Sequence, residues 1–109
     1  MSIKNHIRII GNLGNNAEVK TFESGKSVIN FSLAESYKKK DDSEVTRWHD
    51  CKLWAKKELA DMFTKGREVT IAGELDYEHY TSKEGTKVKK PVILVDEFKV
   101  TTGAKKEEE

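Results

Sequence analysis

Turn-forming clusters cut this chain into short stretches rich in β-branched residues, and only one interval reads as a helix. Ile3 to Ile10 is strand-like and stops at Gly11-Asn12-Leu13-Gly14-Asn15-Asn16. A short strand is expected at about Glu18 to Phe22, closed by a turn at Ser24-Gly25. Ser27 to Glu35 alternates: Ile29, Phe31 and Leu33 fall on one side, Asn30 and Ser32 on the other, the period of a half-buried strand. Lys38-Lys39-Lys40-Asp41-Asp42-Ser43 is charged throughout and reads as a loop. Val45 to Trp54 is a third main strand. Ala55 to Lys65 follows as a short helix, with Ala55, Leu59, Met62 and Phe63 on one stripe and Gly66 placed to end it. Arg67 to Leu75 is the fourth strand and continues toward Tyr80. Ser82-Lys83-Glu84-Gly85 makes a hairpin tip, and Pro91, the only proline, opens a last strand from Val92 to about Val100.

Five main strands with one short helix between the third and fourth give an all-β class. That order fits a small closed or nearly closed barrel, the OB-fold, a five-stranded Greek-key barrel that commonly binds oligonucleotides. The 109 residues suffice for one domain, expected over 1–104, with a short charged tail at 105–109. A domain this size buries a core without a disulfide or metal staple. Its single cysteine, Cys51, allows no internal disulfide and no cysteine-based metal site, which points to a reducing, cytoplasmic setting. No apolar run approaches the ~18 residues of a membrane span, and no secretory leader is visible. The net charge is +1. Without its two Lys and three Glu, the tail-less chain has 18 basic and 16 acidic residues. Any basic footprint must therefore be local.

The informative strand is Arg47-Trp48-His49-Asp50-Cys51-Lys52-Leu53-Trp54. Alternation puts His49, Cys51 and Leu53 on one face and Trp48, Asp50, Lys52 and Trp54 on the other. The second face, polar between its tryptophans, is the expected solvent side. Burying both tryptophans instead would turn Cys51 and Leu53 outward. Two exposed indoles flanking a lysine and an aspartate do little for stability, but they suit bases. Stacking a base on an aromatic ring contributes roughly 1–3 kcal/mol and tolerates any sequence. Tyr37, at the start of the loop after the second main strand, and Tyr77 and Tyr80, on the hairpin arm, extend the aromatic track. Lys38, Lys39, Lys40, Lys52, Lys56, Lys65, Lys87, Lys89 and Lys90 are candidate phosphate partners. His6, His49 and His79 lack metal-ligand spacing, and no nucleophile–base pair, P-loop or paired-carboxylate site is present. Neither an enzyme nor a cofactor is expected.

These features resemble the bacterial-type single-stranded-DNA-binding protein family over nearly the whole chain. Ile7-Arg8-Ile9-Ile10-Gly11-Asn12-Leu13-Gly14 resembles its opening strand and turn, and Phe31-Ser32-Leu33-Ala34 its second strand. Trp48-His49 and Leu53-Trp54 resemble its Trp-His pair and following aromatic. Lys65-Gly66 before Val69-Thr70-Ile71-Ala72-Gly73-Glu74-Leu75 resembles its turn and fourth strand. The resemblance implies sequence-independent binding and protection of single-stranded DNA in replication, recombination and repair. It implies stacking on Trp48, Trp54, Tyr80 and Tyr37, with contacts from Lys56 and Lys65; Lys38 and Lys52 join the expected site as lysines beside these aromatics. It also implies His49 near a subunit interface and a homo-oligomer, a tetramer with a dimer as the alternative. Asp76 and Glu78 replace basic residues of many members, and Ala55 replaces a usual glycine. The chain ends Lys-Lys-Glu-Glu-Glu rather than in an acidic Pro-Phe tip, so recruitment of repair enzymes through such a tip is not expected. The competing reading is an OB-fold protein-interaction module, an accessory subunit of a replication-restart or recombination complex. RNA binding is a third.

Overall fold

The computed structural model describes residues 5–100. Six strands form one sheet: β1 (Ile7–Leu13), β2 (Glu18–Thr21), β3 (Ser27–Lys38), β4 (Glu44–Trp54), β5 (Glu68–Thr81) and β6 (Lys87–Val100). Their spatial order is β1-β5-β6-β4-β3-β2, and a further pairing of β1 with β3 closes the ring. All pairings are antiparallel except β4 with β6, which run parallel at Cys51↔Ile93 and Lys52↔Leu94. This is the five-stranded OB barrel, with β2 added at its outer edge.

The barrel is filled from the apolar parity of each strand. Ile9, Leu13, Ile29, Phe31, Leu33, Cys51, Leu53, Phe63, Val69, Ile71, Ile93 and Val95 form one buried cluster. Phe63 has no solvent exposure and lies between the rings of Phe31 (4.7 Å) and Phe98 (5.1 Å). Gly73 stands at the irregularity between β5 and β6, where Ala72 pairs with Glu97 but Gly73 with Val95. A side chain there would overlap the Leu94 carbonyl oxygen, so the two strands approach this closely only over a glycine.

Several boundaries differ from the sequence reading, among them the end of β3, which runs on to Lys38. The helix expected over Ala55 to Lys65 is a 3-10 helix of six residues, Lys57–Met62, with none of them buried. Lys56, before it, is extended and supplies no side-chain cap. A connection this short nucleates an α-helix poorly, and what fixes it is Phe63 in the barrel, with the Phe63 carbonyl accepting from the Ala17 amide at 2.9 Å. Pro91 lies inside β6, opposite Tyr77. Pairing of β6 with β4 begins only at Ile93, so Pro91 stands where β6 has one strand neighbour, the placement a sheet proline requires. Strand β1 begins at Ile7. Asn5 lies outside it and exchanges two side-chain hydrogen bonds with the Leu75 backbone, at 2.9 and 3.0 Å. The expected ends of the domain, at 1–4 and 101–104, and the tail at 105–109 lie outside the described residues.

Candidate nucleic-acid interface

The register of β3 against β4 sorts the side chains. Val28↔Trp54, Asn30↔Lys52, Ser32↔Asp50 and Ala34↔Trp48 project from one face, while Ile29↔Leu53, Phe31↔Cys51 and Leu33↔His49 project from the other. Cys51 and Leu53 are buried, whereas Trp48 is 62% and Trp54 54% exposed. At a strand rise of about 3.3 Å per residue, the two indoles stand roughly 20 Å apart along β4.

Each indole has its own support. Trp48 lies against Gly14, in the loop between β1 and β2; a Cβ at Gly14 would be 2.5 Å from the indole Cζ3. The absence of a side chain at residue 14 therefore lets this ring lie where it does. Trp54 stacks on Phe22, with centroids 5.5 Å apart and planes at 24°, and the Lys20 ammonium sits 5.2 Å from the Phe22 centroid. Phe22, Lys20 and Gly14 were missed as site residues by the sequence reading. The signal was the short β2–β3 hairpin, whose pairing Lys20↔Val28 adjoins Val28↔Trp54.

Between the indoles the face is polar and largely neutral. Lys52 is ion-paired with Glu78, and Lys90 with Asp50 at 3.2 Å. The Ser32 hydroxyl donates to Asp50 at 3.1 Å. With Asn30 these residues line a groove of about 360 Å³ beside the β5–β6 arm. Exposed ion pairs of this kind contribute about 0–1 kcal/mol, so they are exchangeable. Tyr80 is exposed on the arm, on the same face of β5 as Glu78.

The remaining expected residues fall elsewhere. Tyr37 is within β3, paired with Val45, rather than at the start of a loop. Strand parity puts it on the face of Glu35 and Leu33, opposite to Trp48, and the Arg47 guanidinium lies 4.1 Å from its ring centroid. The structure therefore does not bring Tyr37 together with the two indoles. Lys38, the last residue of β3, shares the parity of Trp48. Lys56 and Lys65 are exposed; Lys56 follows Trp54 by two residues, and the Lys65 amide donates to the Asn16 side chain at 2.8 Å. His49 is half-buried and hydrogen-bonded through Nε2 to Glu35 at 2.9 Å, with Arg47 3.9 Å from the same carboxylate. Burial, and then the neighbouring Asp50 charge, push the Cys51 thiol up to about 12. It is therefore no nucleophile. Among the described residues no three His, Cys, Asp or Glu are placed to hold a metal ion, and no helix is long and apolar enough to cross a membrane.

Residues 4–101 match the model of the single-strand binding protein family. The chain belongs to that family. A single-stranded DNA-binding protein 1 of Synechocystis is 38% identical, over 84% of this chain and 78% of its own length. That of Chlorobaculum tepidum is 44% identical over 65% of this chain, and that of Xanthomonas campestris 31% over 91%. The matches cover 48% and 61% of those two proteins, so this family member spans about half to four-fifths of its relatives' length. Among solved structures, the Plasmodium falciparum SSB in complex with ssDNA superposes with a TM-score of 0.78 at 23% identity. That match covers 92% of this chain and 95% of the other and shows a shared fold. The family and these relatives are named for binding, not for catalysis.

Proposed function

We propose that this protein binds single-stranded DNA without reading its sequence and protects it during replication, recombination and repair. The observation that carries the reading is the pair of exposed indoles on one face of β4, each held in place by a neighbour that leaves much of it open. Bases stack on Trp48, Trp54 and Tyr80, every base offering a π-face. Lys56 meets a phosphate near Trp54 and Lys65 one near the loop between β1 and β2, Lys38 lies beyond Trp48, and Lys52 takes part by leaving Glu78. Tyr37 contacts a strand only if that strand reaches the opposite face of β3. The family and the names of the relatives support the same ligand. A cytoplasmic location on the nucleoid follows from the role.

The working unit is a homo-oligomer, a tetramer rather than a dimer, with His49 and its Glu35 partner close to a subunit contact; sedimentation velocity decides between the two. Pairing of Lys52 with Glu78 and of Lys90 with Asp50 favours the second reading, a module that docks protein rather than DNA. The test is a tryptophan-fluorescence titration with oligo-dT at low and high salt, alongside an equal-length duplex and oligo-rU. Quenching by dT that weakens with salt and is absent with duplex supports DNA coating. No quenching at low salt transfers the case to the protein-docking module, and equal quenching by rU extends the ligand to RNA.

A further inference from the structure

Beside Trp54, between the turn joining β2 to β3 and the 3-10 helix, lies a second groove of about 600 Å³. Lys26, Lys56 and Lys57 line it together with Trp54, and Glu58 is the one carboxylate in its wall. Among the described residues these three lysines have no ion-pair partner. The arm-side groove is the opposite case, since Lys52 is held by Glu78 and Lys90 by Asp50.

This difference decides where salt-dependent affinity arises. A phosphate arriving at Lys52 or Lys90 displaces a carboxylate, which then needs its own counter-charge. Little is gained from releasing mobile ions. A phosphate arriving at Lys26, Lys56 or Lys57 meets a cation balanced only by mobile ions, and their release drives binding. Phe22 already occupies one face of the Trp54 ring, so a base has the other, within reach of the same groove.

We infer that the groove between the β2–β3 turn and the 3-10 helix is the electrostatic anchor of the bound strand, taking up to three phosphates on Lys26, Lys56 and Lys57. The arm-side groove contributes stacking and hydrogen bonding but almost no counterion release. The inference rests on single-stranded DNA being the ligand. It adds Lys26 and Lys57 to the site and removes Lys52 from the source of charge-driven affinity.

The test is fluorescence anisotropy of a labelled oligo-dT between about 50 and 200 mM salt. It compares the unaltered protein with a K26A/K56A/K57A variant and a K52A/K90A variant, each first checked for an unchanged melting temperature. At about 0.7 per phosphate on a single strand, the groove variant loses about 2 from the slope of log K against log salt. The arm variant keeps its slope. Should K52A/K90A lose as much slope as the groove variant, or the groove variant lose less than the value for one phosphate, the anchor is not here, although the protein still binds DNA. Absence of dT binding by the unaltered protein at low salt would instead sink the binding reading, and this inference with it.

Discussion

Gly14 offers a way to perturb stacking without touching a residue that meets DNA. Its φ lies outside the left-handed region, so alanine suits the backbone. The new Cβ would nonetheless stand 2.5 Å from Cζ3 and 2.9 Å from Cη2 of Trp48. Carbon atoms rest at about 3.5–4.0 Å, so the ring tip must withdraw by about 1–1.5 Å. The indole is 62% exposed and free to swing outward, so the stability change stays within about 0.5 kcal/mol, as for other surface substitutions. Binding is affected more. Loss of one base–aromatic stack costs about 1–3 kcal/mol, or about 5- to 150-fold in affinity. W48A takes that full loss, and G14A takes a substantial part of it. The assay is oligo-dT anisotropy on G14A, W48A and the double variant, with thermal melts of each. G14A should weaken binding in the parent and do nothing further in the W48A background, because its whole effect passes through the ring. Equal losses in both backgrounds, or an unchanged affinity in G14A beside a large loss in W48A, would refute the claim that Gly14 seats Trp48.

W54A should weaken oligo-dT about 5- to 150-fold at constant salt and remove much of the fluorescence quenching. E78Q should release Lys52 to phosphate, tightening dT binding at low salt and steepening the salt slope by about 0.7, read by anisotropy. F31A should cost about 3–5 kcal/mol in urea melts, since it opens a void against Phe63 at the centre of the barrel. Cys51 gives a pH dependence of known sign. Its folded value of about 12 lies above the ordinary 9.0, so its contribution is intact below pH 9 and is lost as pH rises toward 12. C51A, followed by melting across that range, should lose stability less steeply with pH than the parent.

The barrel and the two-tryptophan face were legible because alternation survives in a single strand: Cys51 and Leu53 could only face inward if Trp48 and Trp54 faced out. The extent of β3 was not legible. The lysine run reads as loop, but the strand persists to Lys38, and the reversal occurs later. There Asp42 takes φ 70° and Asp41 accepts from both the Ser43 amide and hydroxyl. Those same hydrogen bonds hold the Asp41 carboxyl below its usual range. Extending the strand fixed the parity of Tyr37 and parted it from the indoles. The helix misled for a related reason: its stripe of Ala55, Leu59, Met62 and Phe63 is apolar, yet only Phe63 is fully buried while the others rest half-covered against the core, which a short turn achieves. Acidic Asp76 and Glu78 were visible in the sequence as a departure. That Glu78 closes on Lys52 depends on the curl of the β5–β6 arm, which no local pattern encodes.

Past Ala34, the last β3 residue paired with β1, the β3–β4 hairpin is a ribbon two strands wide, with Trp48 at its root on one side and Tyr37, under Arg47, further out on the reverse. A strand that engages both must therefore pass around the ribbon's margin, like a thread over the edge of a card. On the proposed function, length would then act as a switch between two modes: an oligomer too short to turn the edge would report only on the indoles, and the reverse side would answer only to a longer one.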